Sequence, residues 1–153
     1  MKRLTILTTI LLACCFFTVM AQNDSIMKIF FPDDPGVTYT GRIDFANLEA
    51  PVLISAGSYL SFEFSGTSCT VLMNYSSEDD GYAYIAVECD NKYLGRIRID
   101  GEQDKYQVVS ELKDTVHTLR ICKATEAITG NIVFKGIECI ELLPAINRIA
   151  CRG

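Results

Sequence analysis

The sequence predicts an all-β domain, a jelly roll or β-sandwich of about eight or nine antiparallel strands. Two patterns point there. Short stretches of period-two apolar alternation recur along the chain, most of them separated by turn residues. Beyond the N-terminal leader, no stretch carries a convincing 3.6-residue apolar period, and there is no internal repeat or low-complexity tract.

Residues 1–21 read as a signal peptide. Lys2 and Arg3 form the positive start, Leu4 to Val19 is apolar, broken only by threonines and the Cys14-Cys15 pair, and Val19-Met20-Ala21 offers small residues for cleavage. Leu11-Leu12-Ala13-Cys14 also resembles a lipobox. Cys15-Phe16-Phe17 carries the apolar run past Cys14, where a lipoprotein usually turns polar, so cleavage is the favoured reading. The expected location is secreted or periplasmic. The apolar run is short for a membrane span, which needs about 20 residues.

Residues 22–36 read as a polar linker with a short apolar patch, Ile29-Phe30-Phe31, and a turn at Pro32-Asp33-Asp34-Pro35-Gly36. The sandwich is expected over 37–145. Its candidate strands are 37–45, 51–55, 58–65, 69–75, 82–89, 93–99, 104–110, 116–123 and 132–142. Leu60, Phe62 and Phe64 share one face of their strand; Ala83, Ile85, Val87 and Cys89 share a face of theirs; Tyr93, Gly95, Ile97 and Ile99 do the same. Register then selects a loop. A two-residue Asp90-Asn91 turn in a regular ladder sets Ile85 opposite Arg96 and buries arginines. A three-residue loop, Asp90-Asn91-Lys92, sets Cys89 opposite Tyr93 and Ile85 opposite Ile97, and is the expectation.

Removing Lys2 and Arg3 from the 14 basic residues leaves 12 against 19 acidic, a net charge of −7 for the mature chain. That disfavours nucleic acid, which requires a basic stripe. Five of the seven cysteines lie beyond the leader: Cys69, Cys89, Cys122, Cys139 and Cys151. They could pair in an oxidising compartment, though five is odd. No C-x-x-C spacing suggests zinc, and small buried apolar residues on strands are the favoured reading.

Three segments in order carry a resemblance: Tyr39-Thr40-Gly41-Arg42-Ile43-Asp44-Phe45, the strand pair 82–99 around Asp90-Asn91-Lys92, and His117-Thr118-Leu119-Arg120-Ile121-Cys122-Lys123-Ala124-Thr125-Glu126. Together they resemble the N-terminal jelly-roll domain of carbohydrate esterase family 2, the acetyl-xylan-esterase-like enzymes. In that family the jelly roll leads into an SGNH-type hydrolase domain. Ile149-Ala150-Cys151-Arg152-Gly153 is similar to the strand and glycine before the family's nucleophile, so 146–153 is expected to begin that domain. Arg152 departs from the apolar residue usual there. The resemblance implies a catalytic serine and histidine in the hydrolase domain, beyond these residues, and no catalytic residue is carried over. It also implies a parent enzyme that deacetylates plant polysaccharides such as xylan or glucomannan.

The remaining chemistry reads as structural. His117, the sole histidine, begins an alternating strand. Lys123 and Glu126 are expected to pair across a turn. Glu78-Asp79-Asp80 lacks the regular spacing of a calcium loop. Ser65-Gly66-Thr67-Ser68 joins strand to strand and is no nucleophile elbow. No phosphate loop is present, and no metal or cofactor is expected. Tyr82 and Tyr84, on the face opposite Ile85 and Val87, are the candidate carbohydrate-binding residues of an alternative reading, a free-standing carbohydrate-binding module. Ile137, Ile140, Leu142, Leu143, Ile146 and Ile149 are expected to form a bare apolar surface when the hydrolase is absent.

Overall fold

The computed structural model of the chain describes residues 26–77 and 81–145. The leader with Cys14, the acidic turn Glu78-Asp79-Asp80, and the 146–153 stretch with Ile146, Ile149 and Cys151 lie outside the described residues.

Within the described residues, twelve strands form two six-stranded antiparallel sheets. The first sheet runs β3 (Ile43–Asp44), β4 (Val52–Leu53), β11 (Asn131–Cys139), β6 (Cys69–Ser76) and β9 (Lys105–Val109), with β1 (Lys28–Phe30) also on β11. The second runs β12 (Glu141–Leu143), β5 (Tyr59–Gly66), β10 (Thr115–Lys123), β7 (Ala83–Cys89) and β8 (Lys92–Ile99), with β2 (Thr38–Thr40) also on β5. From β5 onward every connection but β7–β8 carries the chain from one sheet to the other. The only described helical element is a short 3-10 turn, Ala127–Thr129. No described helix is long and apolar enough to cross a membrane.

The core lies between the sheets. Leu60, Phe62, Phe64, Ala83, Ile85, Val87, Leu119 and Ile121 face Leu53, Val71, Met73, Ile132, Phe134 and Ile137. Alternation on β5 and β7 thus aims the expected residues inward, Cys89 included. Cys69, Cys89 and Cys139 are free thiols inside the core. Burial pushes their pKa values up, to about 12 for Cys139, so they behave as small apolar groups rather than nucleophiles.

Several expected boundaries are corrected. The 22–36 linker contributes β1, which pairs along β11 through Ile29–Glu138 and Phe30–Ile137. The single strand expected over 37–45 splits into β2 and β3, which join different sheets. Gly41 makes the break at φ 99°, where a Cβ would sit 2.8 Å from the Ser58 backbone. Likewise 132–142 divides into β11 and β12, each in its own sheet. These splits, with β1, raise nine expected strands to twelve. The 132–143 region is also not a bare apolar surface. Ile137 and Leu142 are buried, and Ile140 and Leu143 are half-buried. Exposed apolar residues among the described ones are spread over other segments, with Ile26, Ile29, Phe31, Phe45 and Leu48 before β4 and Tyr93, Leu94, Val116 and Ile128 later in the chain.

The β7–β8 hairpin corrects the loop expectation in an instructive way. The turn has two residues: Cys89 pairs with Lys92, and Asp90 and Asn91 both take positive φ, 52° and 63°. That is the conformation a type I′ turn requires. Arginines still avoid the core because Leu94 is an extra residue between the pairs Glu88–Tyr93 and Val87–Gly95. The bulge flips the face. Ile85 meets Ile97 as expected, while Tyr93 leaves the apolar face and is 60% exposed. Gly95, at φ 135°, supplies the backbone freedom. Deleting Leu94 should therefore leave a regular ladder with Ile85 still opposite Ile97. The expected loss is under about 2 kcal/mol, checked by thermal melting. Loss of cooperative unfolding would contradict the register.

Candidate functional site

The outer face of the second sheet carries the chain's concentration of polar, aromatic and basic groups. Along β5, β10, β7 and β8, the residues opposite the core include Tyr59, Ser61 and Glu63; Thr118, Arg120 and Cys122; Tyr84, Ala86 and Glu88; and Arg96 and Arg98. A groove of about 360 Å³ crosses this face, lined by Thr38, Ser61, Glu63, Glu88, Asp90, Asn91, Thr118 and Arg120, with Gly36 and Ala145 at its edge. The backbone nitrogen of Ala145 donates to the Pro35 carbonyl at 3.4 Å, which places the end of the described chain beside the groove.

Tyr82 and Tyr84 do lie together on this face. Their rings meet edge to face at 5.5 Å, and Tyr82 is 44% exposed. The Arg98 guanidinium sits 4.2 Å from the centre of the Tyr82 ring and 3.4 Å from Asp100. One face of Tyr82 is thus covered by a cation, an attraction of the cation–π kind. Arg120 repeats the arrangement, 5.1 Å over Tyr59 and 3.3 Å from Glu88.

At one end of the groove His117 is locked into the fold. It is 7% exposed. Nδ1 lies 2.7 Å from Asp90 Oδ2 and Nε2 lies 2.8 Å from the Lys113 carbonyl. Asp90 is itself fixed, because its Oδ1 accepts the Thr118 N–H and its N–H donates to the Thr118 carbonyl. A neutral imidazole has one N–H, yet both partners here are acceptors, so the site favours the doubly protonated ring, in which both nitrogens donate. The bond to Asp90 accordingly raises the His117 pKa, with the Lys113 carbonyl adding to it. The same bond to His117, then the Thr118 N–H, lowers the pKa of Asp90.

This arrangement suits structure rather than catalysis. A general base needs a lone pair aimed at a nucleophile, and both ring nitrogens are spent on acceptors. The Cys89 thiol is near, with ligand atoms of Cys89, Asp90 and His117 all within 4.8 Å of one another. Burial, then Asp90, pushes that thiol up to about 11. Nitrogen, oxygen and sulfur donors are a zinc-like set, but here an ion would have to break the His117–Asp90 bond to reach the ring.

Lys123 also corrects an expectation. Its Nζ does not pair with the Glu126 carboxylate; it donates to the backbone carbonyls of Thr125 and Glu126 at 2.7 and 2.9 Å. The side chain is fully buried, and burial lowers its pKa. It ties down the turn after β10, where Tyr75 Oη donates to the Thr129 carbonyl at 2.7 Å.

Residues 39–145 match the carbohydrate esterase 2 N-terminal family. The chain belongs to that family. The match takes in all three motifs that carried the resemblance, and with them the His117–Asp90 lock. Cellulase/esterase CelE of Acetivibrio thermocellus is 29% identical over 106 residues, 69% of this chain but 12% of that protein. A family two carbohydrate esterase from Clostridium thermocellum, solved in complex with cellohexaose, is similar at 27% identity with a TM-score of 0.63. The likeness covers 71% of this chain and 33% of that one. A family two esterase from Cellvibrio japonicus shares the fold at 22% identity, TM-score 0.70, over 79% of this chain and 36% of that one. This CE2 N-terminal domain therefore spans about a third of the solved esterases that contain its like.

The sequence alone did not reveal the groove, the His117–Asp90 bond or the arginine grouping. Asp90 and His117 are 27 residues apart. A signal existed, since the sole histidine lies near the start of β10, the strand beside a hairpin that turns on Asp90.

Proposed function

We propose that the chain is the non-catalytic N-terminal β-sandwich module of a secreted carbohydrate esterase that removes acetyl groups from plant polysaccharides such as xylan or glucomannan. One observation carries the non-catalytic part. The chain has a single histidine, and both its ring nitrogens are engaged by Asp90 and the Lys113 carbonyl. That leaves no ring nitrogen aimed at a serine, which supports a structural rather than a catalytic role for it. The family membership and the coverage of about a third of the solved esterases support a hydrolase domain as the module's partner. The module would pack on that domain and frame its substrate cleft. The test is acetate release from 4-nitrophenyl acetate and from acetylated xylan by the purified chain. None above the buffer blank is expected; turnover lost in a His117→Ala variant would overturn the reading.

A second reading, direct glycan contact, is favoured by the Tyr82–Tyr84 pair on the outer face of the second sheet, of which Tyr82 is exposed and Tyr84 half-buried. Aromatic rings offer the flat apolar faces on which sugars settle. It predicts retardation in an affinity gel containing soluble xylan, weakened by Tyr82→Ala and Tyr84→Ala. Unchanged mobility in the gel would count against it.

A further inference from the structure

The described residues include four arginines, and three of them, Arg96, Arg98 and Arg120, lie on the outer face of the second sheet. The whole chain carries a net charge of −5, so this grouping runs against its composition. Register fixes their arrangement. Arg98 stands opposite Tyr84, Arg96 opposite Ala86, and Ala86 in turn opposite Cys122, which pairs with Tyr59. Arg120 stands one row away, opposite Glu88 and Ser61. The small side chains of Ala86 and Cys122 therefore form a low floor. Around it stand Tyr59, Tyr84, Arg96 and Arg120, and the polar groove begins at Arg120.

Two of the three cations already hold carboxylates: Arg98 with Asp100 and Arg120 with Glu88. Arg96 is exposed and has no hydrogen-bond or ion-pair partner among the described residues. Its neighbours show which anion this face accepts. The guanidinium fork matches a planar carboxylate with two parallel hydrogen bonds. The same face also carries Glu63, Glu88 and Asp90, and these would repel a polyanion such as nucleic acid. One open arginine among tyrosines and acids fits a ligand that is largely neutral, with isolated carboxylates.

We propose that this face binds a uronic-acid-bearing polysaccharide, with Arg96 pairing the uronate carboxylate and Tyr59 and Tyr84 flanking the sugar ring over Ala86 and Cys122. This rests on the glycan-contact reading and names its ligand class. It adds a role for Arg96, outside the tyrosine pair.

The test is affinity electrophoresis of the purified chain in three gels: glucuronoxylan, the same polymer with its carboxyls chemically reduced to neutral sugar, and no polymer. Wild type should be retarded by glucuronoxylan and about 10-fold less sensitive to the reduced polymer, the scale of one charge-assisted contact. Arg96→Ala should lose that preference and bind both polymers weakly and alike. Arg96→Lys should fall between, because it keeps the charge and loses the fork. Arg42→Ala, off this face, should match wild type. Thermal melting of each variant guards against unfolding. Equal wild-type binding to both polymers, or an Arg96→Ala variant that keeps the preference, overturns the uronate assignment and leaves glycan contact standing. No retardation by either polymer overturns both.

Discussion

Phe64→Ala is expected to destabilise the domain by about 4 kcal/mol, the usual cost of removing a buried phenylalanine. Phe64 is fully buried on the central part of β5, between Leu142 of β12 and His117 of β10. Its ring centre lies 6.3 Å from that of Phe62 and 5.7 Å from that of His117. The truncation removes apolar area and leaves a hole where three strands meet, and β-sheet backbone cannot collapse to fill it. Phe64 also packs beside the His117 ring, so the truncation loosens the packing that holds the imidazole. For a domain of this size the midpoint of thermal unfolding should fall by more than about 10 °C, while Phe64→Leu should recover most of the loss. A fall of a few degrees for the alanine variant would mean that the ring is not a centre of the core.

His117→Ala is expected to cost about 3 kcal/mol, because it removes a packed, buried ring together with its bonds to Asp90 and the Lys113 carbonyl. The cost should depend on pH, with a defined sign. The folded ring binds its proton more tightly than the unfolded chain does. Its contribution is therefore complete below the unfolded imidazole value, about pH 6.5, and is lost as pH rises through the higher folded value. Asp90 runs the other way. Its folded carboxyl titrates below the ordinary range, so its contribution holds above about pH 3.9 and is lost as pH falls through the folded value. The melting gap between wild type and His117→Ala should thus be widest near about pH 5 to 6 and narrower at about pH 9. An unchanging gap across that range would show that the ring acts by packing alone.

Much of the fold was legible in the residues because period-two alternation reports which face is buried. Leu60, Phe62 and Phe64 on β5, and Ala83, Ile85, Val87 and Cys89 on β7, are inward for that reason. Where alternation is broken by one residue, pattern alone misleads. Keeping Arg96 and Arg98 out of the core could be achieved by a longer loop or by a bulge, and both satisfy the same apolar pattern. The bulge at Leu94 is decided by the positive φ that Asp90, Asn91 and Gly95 tolerate. Strand splitting at Gly41 was hidden likewise, since 37–45 alternates acceptably as one strand. The site was less legible. Tyr82 and Tyr84 were placed correctly on one outer face, but the cation over Tyr82 comes from the neighbouring strand. The bond from His117 to Asp90, and that from Lys123 to two backbone carbonyls, join groups through tertiary structure that no local spacing records.

Both ring nitrogens of the chain's only histidine are engaged within the fold. With one histidine, its ring signals in a nitrogen-15 NMR titration need no assignment by mutation. Two ring N–H groups protected from solvent at neutral pH, and a midpoint above the ordinary imidazole range, are the predicted result. A midpoint at or below that range, with one nitrogen free and its partner proton exchanging rapidly, would contradict the claim and return His117 to consideration as a base.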